Sequence, residues 1–329
     1  MNENFYGQRD ERGNWEPFNK PDVAPFWKTA NIKILFKWVL EYLWPWNAFH
    51  MLVTIFYFTY VIPDMKILQN LHWDWALRIS LVNYIGIILL YGSIEFFYYL
   101  KRVQGTRFKY NPMFPSETPA KGFWFSSQNL DNFLRTVFFG IPIWSLFQVL
   151  ILWAYANTWG NWINWEEHKI YLVCLVLLVP ALHEIHFFSI HRLIHTKWLY
   201  KYVHSVHHKS INPSPWSSLS MHPVEHILYF GEVFWHLLIP SHPLVATFNL
   251  NMVAYGALNG HIGFEKLELG EKANIKSHAY LHYLHHKYFQ VNYGGDWLIP
   301  MDKWFNTWHD GSKEAEERFR NKIRKTAVN

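Results

Sequence analysis

Histidine is the residue this chain places where chemistry is possible. His191 and His195 stand four apart, His204, His207 and His208 form a His-x2-His-His triplet, and His282, His285 and His286 form a second. With 20 His in 329 residues, one such triplet should arise by chance in roughly 0.07 of comparable chains, so two copies are signal. On a helix, positions i, i+3 and i+4 share a face, so each triplet can present three imidazoles to one metal ion or to a pair. Neutral imidazole suits Fe, Zn, Cu or Ni, so residue type alone does not choose the metal. Number does some of the choosing. A single zinc takes about four ligands, and the eight histidines of the three groups call for two ions. Two divalent ions among neutral rings need carboxylates behind them to offset charge and fix the imidazoles. Glu184, Glu225, Glu265 and Asp302 are the candidates. His50, His72, His168, His236, His242 and His309 stand apart from these groups, and each is read as an ordinary core or surface residue.

The elements that must position these rings read as membrane helices. Half of the residues are apolar and 19% are aromatic, yet mean hydropathy is −0.09, so an apolar helical body must carry a polar part. Four stretches are long enough to span: 45–63, 75–100, 132–155 and 170–190. Two shorter ones, 224–239 and 243–258, predict a helical hairpin (224–258) that enters the membrane partway. The expected fold is all-α, a polytopic bundle of about four spanning helices plus the hairpin, with a histidine-rich helical cap. Its parts are an N-terminal and interfacial segment (1–44), transmembrane helices (45–190), a histidine-box region (191–310) and a charged tail (311–329). Phe26 to Leu43 alternates aromatics with Lys28, Lys33 and Lys37, as an interfacial amphipathic helix does. The lone Cys174 excludes an intrachain disulfide framework and an all-Cys iron–sulfur site. The net charge of +5 is scattered near apolar spans, which suits a membrane surface and not nucleic acid. Lys/Arg gather before residue 45 and in 101–121, whereas 64–74 holds only Lys66 and 157–168 none. The positive-inside rule then puts His191 and everything after it, apart from the hairpin, on the cytoplasmic side. No apolar signal segment is visible in the first 25 residues.

Taken in order, HRLIH, HSVHH, HPVEH, NGHIG, HYLHH and the closing NYGGDWLIPMDKWF resemble the fatty acid hydroxylase/sterol desaturase superfamily of integral membrane di-iron oxygenases. The resemblance covers about Leu182 to Trp308. It implies that His191, His195, His204, His207, His208, His282, His285 and His286 are metal ligands, and that His261 in Asn259-Gly260-His261 is a ninth. It implies an acid seven residues before the first box, where Glu184 stands. His183, His222, His226, Asn259 and His278 are further or supporting candidates, with Pro223 and Glu225 placed as at a helix start. The closing segment departs from the family pattern: Asp302-Lys-Trp-Phe-Asn306-Thr307 stands where an aspartate-aromatic stretch usually ends in Gly-Thr.

By that resemblance the expected activity is O2-dependent hydroxylation or desaturation of an unactivated C–H in a sterol-like, acyl or ether lipid taken from the bilayer, at two Fe ions. Zinc found in purified protein is compatible with this, because it binds such sites more tightly than Fe(II). Haem-binding, Cys-rich and Gly-rich dinucleotide motifs are not visible in the sequence, so an external donor of ferredoxin or cytochrome type is expected, docking near Lys197, Lys201 and Lys209. A zinc-dependent membrane hydrolase and a His-rich metal transporter are the alternatives. The transporter would spread its ligands along spanning helices. The C-terminal KIRKTAVN carries no retrieval signal, which favours a bacterial inner membrane over an endoplasmic reticulum.

Overall fold

The computed structural model describes residues 2–115, 119–295 and 298–328. Asp296 and Trp297 of the closing motif lie outside the described residues. Three helices are long and apolar enough to cross a membrane: Trp73–Leu100, Gln128–Ala156 and Lys169–Ile194. At about 1.5 Å per residue each exceeds the roughly 30 Å hydrocarbon core. The protein is a helical membrane protein. Before these come α1 (Ile32–Tyr42) and α2 (Ala48–Phe56), and the three long helices are α3, α4 and α5. After them come α6 (Pro223–Phe230), α7 (Pro243–His261), α8 (Tyr280–Tyr288) and α9 (Lys313–Val328).

The first expected span is shorter than its composition suggests. Trp44 leaves the helical region (φ −121°, ψ 136°), Pro45 has no N–H to offer, and α2 with its continuation Tyr57–Val61 stops before Pro63. The hairpin is also uneven. Its first arm breaks into α6, a 3-10 turn at Gly231–Phe234 and a short helix at Trp235–Leu238, whereas α7 runs 19 residues to His261. His242 caps α7 by accepting from Leu244 N at 3.1 Å, and Pro243 fills the first helical position.

Helix α3 shows why the bundle belongs in lipid. Trp75, Ile79, Asn83, Ile87 and Tyr91 form a buried stripe, while Leu77, Leu81, Ile85 and Leu89 on another face are exposed and equally apolar. Helix α7 is buried along most of its length and packs on α2, α4 and α5. Polar side chains bind the helices where no water competes. Tyr57 donates to Asn83, which donates to Ser145 (2.9 Å) and Gln148 (3.1 Å), and Tyr91 donates to the Ala254 carbonyl (2.6 Å).

Successive helices alternate in direction, as the loop contacts show. At one end Asn157 donates to Gln69 O, Tyr171 to Pro240 O, and Trp162 bridges Ser241. At the other, Trp46 donates to Lys276 O, Gln128 to Asn212 O, and Lys109 bridges Phe264. The ends of α5 and α7 therefore arrive together at the second end. Of the 30 Lys and Arg, only Lys66, Arg78 and Lys169 belong to the loops and helix termini of the first end. The cap over the second end is not wholly helical: β1 (Gly7–Arg9) pairs with β2 (Trp15–Pro17), and β3 (Lys266–Leu269) with β4 (Ala273–Lys276), both antiparallel. Trp15, 1% exposed, is sealed against Phe108 and Tyr110, so the N-terminal segment is part of the cap. The charged α9 is also docked. Tyr288 donates to Glu316, and Phe319 packs on Tyr288.

Candidate metal centre

Four elements bring the nine imidazoles together where α5 and α7 end. His191 and His195 close α5 and lie one turn apart. His204, His207 and His208 sit in a 3-10 turn, His204–Lys209, rather than the α-helix their spacing predicts. His261 ends α7, and His282, His285 and His286 occupy α8. The donor atoms sort into two groups, each with all its atoms within 4.8 Å of one another: His191, His195, His204, His208 and His285, and His207, His261, His282 and His286. Each triplet therefore straddles both groups. Adjacent residues on a turn point some 100–120° apart, so His207 and His208 part company, as do His285 and His286.

The rings are oriented by what their second nitrogen meets. Nδ1–H donates to a carbonyl in His191 (Tyr293 O, 2.7 Å), His207 (Ser220 O, 3.4 Å), His261 (Ala257 O, 2.9 Å) and His285 (Val291 O, 2.6 Å). In His204 it donates to the Glu225 carboxylate at 2.7 Å. A neutral ring that donates through Nδ1 has a bare lone pair at Nε2. Those lone pairs face one another: His191 and His204 Nε2 are 3.2 Å apart, and His261 and His207 are 3.1 Å apart. The chain continues through His208 to His195 (3.2 Å) and His285 (3.1 Å), and through His282 to His261 and His286 (3.1 Å each). Each of these contacts lies inside one group.

Opposed lone pairs at this distance repel unless a cation lies between them. Protonation is disfavoured: burial, reinforced by the neighbouring rings, holds His204, His207, His208, His282 and His286 well below the ordinary imidazole range, and burial brings His285 to about 4. At a metal–nitrogen bond of about 2.1 Å, nitrogens 3.1–3.2 Å apart subtend roughly 95–100°. The donor set fits metal ions, one per group.

The supporting candidates divide. Glu225 directly touches His204, a ring of the five-donor group. Asp302 accepts from Tyr293 N (2.9 Å) and Gly294 N (2.8 Å), fixing the loop whose Tyr293 carbonyl holds His191. Glu184 accepts from Ile299 N at 2.7 Å, and Glu265 from Tyr110 OH at 2.7 Å. Glu265 thus serves the cap and touches no ligand ring. His222 caps α6 by accepting from Val224 N, His226 meets Leu219 O, and His183 meets Glu232. None of these three, nor His278, joins either donor group. The carbonyls of Tyr293, Ser220, Ala257 and Val291 are partners that residue type does not reveal, since every residue carries one.

A cavity of about 600 Å³ adjoins the centre. Its wall includes His191, His204, His207, His261 and His282, with Asn259, and its apolar lining includes Phe187, Ile190, Met221, Tyr229 and Met252. It extends to Trp38 and Tyr42 on α1 and to Pro180 of α5. Tyr42 OH donates to Leu177 O at 2.7 Å, next to the turn that Pro180 leaves short of an N–H. Helix α1 therefore borders the cavity.

Residues 175–307 match the fatty acid hydroxylase family. The chain is 34% identical over 121 residues to a Delta(7)-sterol 5(6)-desaturase of Gibberella zeae, covering 36% of each chain. It is 29% identical over 157 residues to a fatty acid hydroxylase of Mycosarcoma maydis, covering 46% of this chain and 39% of the relative. It is 27% identical over 132 residues to a methylsterol monooxygenase of Arabidopsis thaliana, covering 37% and 50%. The chain thus spans at most half the length of these curated relatives. No solved structure is significantly similar to it. The similarity to the fatty acid hydroxylase and sterol desaturase families thus lies in the histidine-bearing segment that these matches share.

Proposed function

We propose that the chain is an O2-dependent oxidoreductase of membrane lipids that hydroxylates or desaturates an unactivated carbon at a two-iron centre. One observation carries the reading: two groups of imidazoles, five and four and nearly all buried, meet at the wall of a largely apolar cavity bordered by α1. Iron held by those groups would supply the redox chemistry, reduction of O2 and removal of hydrogen from carbon. The relatives' names, desaturase, hydroxylase and monooxygenase, support lipid oxidation without choosing between outcomes.

The chain's own residues bind, orient and shield. Phe187, Ile190, Met221 and Met252 offer a lipid an apolar wall and keep water from the reacting carbon. The Tyr293, Ser220, Ala257 and Val291 carbonyls and Glu225 keep the rings in the tautomer that leaves Nε2 free. Lys197, Lys201 and Lys209 are exposed on the segment that bears the second histidine group. They form the proposed docking face for an acidic ferredoxin or cytochrome-type donor. The concentration of Lys and Arg at the metal end supports a cytoplasmic site. The relatives named above, from fungi and a plant, lend the bacterial membrane no support. Convergence of the donors in one place, where α5 and α7 end, argues against a transport path.

The test is an anaerobic–aerobic pair. The iron-loaded chain in lipid nanodiscs, given a chemical reductant and total lipid extract, is expected to yield products gaining one oxygen or losing two hydrogens only when O2 is present. Equal product without O2 overturns the reading and favours the zinc hydrolase.

A further inference from the structure

His50 lies in the first turn of α2, 2% exposed, and lines the cavity beside the metal centre. Among the described residues, neither of its ring nitrogens has a hydrogen-bond partner. The other ionisable residues of the inner cavity are engaged: His183 with Glu232, Glu184 with Ile299 N, and Glu225 with His204. A buried imidazole offers one donor and one acceptor, and leaving both unmet is costly unless a ligand meets them.

Its surroundings say where that ligand lies. A Cβ on Gly256 would stand 3.5 Å from His50 Cε1 and 3.7 Å from Nε2, and a Cβ on Gly260 would stand 3.0 Å from Cδ2 of the ligand His282. Gly256 and Gly260 are i and i+4 on α7, one above the other on the same face and about 6 Å apart. Both line the cavity. His50 and the metal ligand His282 therefore border one strip of cavity floor, about one helical turn apart, and the two glycines keep that strip open.

We infer that His50 receives the polar oxygen of the lipid substrate, a hydroxyl or carbonyl at one end of an otherwise apolar molecule, which places a carbon near that end at the metal centre. A hydroxyl can accept from the imidazole N–H or donate to its bare nitrogen, so it meets one nitrogen directly and leaves the other to a water. A hydrocarbon of the same shape leaves His50 unmet, and a site built to hydrogen-bond an oxygen rejects the analogue that lacks it. The inference rests on the lipid-oxidising reading above and names the residue that recognises the substrate's oxygen.

The test measures binding, so it needs no turnover. Tritiated cholesterol and octadecanol, each against its deoxygenated counterpart (cholestene and octadecane), are titrated onto the metal-loaded chain in nanodiscs. For at least one pair the wild type is expected to prefer the alcohol by about tenfold or more, and His50→Phe to reduce that preference to about twofold or less. His50→Gln, which keeps a donor and an acceptor, should retain most of it, and both variants should bind as much metal as the wild type. Equal binding of alcohol and hydrocarbon by the wild type overturns the inference, independently of how any variant folds. So does a preference that survives His50→Phe, a loss of metal in that variant, or a preference abolished instead by Asn259→Leu, whose Oδ1 is also unpartnered. If product forms without O2 while the alcohol preference stands, the oxygenase reading fails and the binding assignment does not.

Discussion

The five-donor and four-donor groups use one residue type in different surroundings. The five-donor group reaches the surface: His195 is only part-buried, packs at a tilt against Tyr200 and sits beside the exposed Lys197. It also receives the one carboxylate seen against a ligand ring among the described residues, Glu225 on His204. The four-donor group is buried throughout, and the contacts to its Nδ1 atoms come from the carbonyls of Ser220 and Ala257. Three of its four rings line the cavity, against two of five in the other group. The difference teaches a division of surroundings within one centre. One group stands toward solution with a carboxyl support, the other toward the cavity with carbonyl supports.

The comparison can be broken most forcefully at the four-donor group, which has no ligand to spare. His207→Ala is expected to lose that group's ion and all lipid oxidation, lowering metal content from two ions per chain to one or none; unchanged content would refute the assignment. His195→Ala, by contrast, leaves four donors in its group and should retain both ions at reduced affinity. Glu225→Gln removes the carboxyl group that meets His204. It should weaken the five-donor ion by about 10–100-fold and leave the other unaffected, read by competition with a chelator.

Acidification comes next. His285 is depressed by burial from the ordinary 6.5 to about 4, so the folded chain binds fewer protons there than the unfolded one between those values. The stability this ring contributes is complete above about pH 6.5 and is lost as pH falls toward 4. Metal and folded protein should therefore be lost together over that window in thermal-shift and metal-release titrations, and a centre stable at pH 4 would contradict the arrangement. Smaller still is Asp302→Asn, which loosens the Tyr293 loop behind His191 and is expected to weaken the five-donor ion by about threefold to tenfold. His222→Ala should cost about 1 kcal/mol of stability through the lost helix cap and leave metal content unchanged.

Spacing singled out eight of the nine imidazoles, because metal binding demands a rare residue type in close register, and His261 came only from the family resemblance. It could not divide them. That division depends on the 3-10 turn at His204–Lys209 and on four separate segments meeting, and neither is local to a triplet. The supporting carbonyls of Tyr293 and Val291 were invisible for a different reason: a backbone group carries no signature of the side chain beside it. Composition exposed the long apolar helices but overstated the first, since the break at Trp44–Pro45 and the stop before Pro63 shorten α2. His50 was passed over as a lone histidine. Only its burial, its unmet nitrogens and its place one turn from Gly260 distinguish it, and all three are properties of the fold.

The central claim is that nine imidazoles hold two ions in unequal sites. It is tested most directly by loading the full chain with ⁵⁷Fe(II) under anaerobic conditions and measuring iron per chain together with its Mössbauer spectrum. The account predicts two irons per chain in two distinguishable environments of equal weight. One iron per chain, or none, would contradict it.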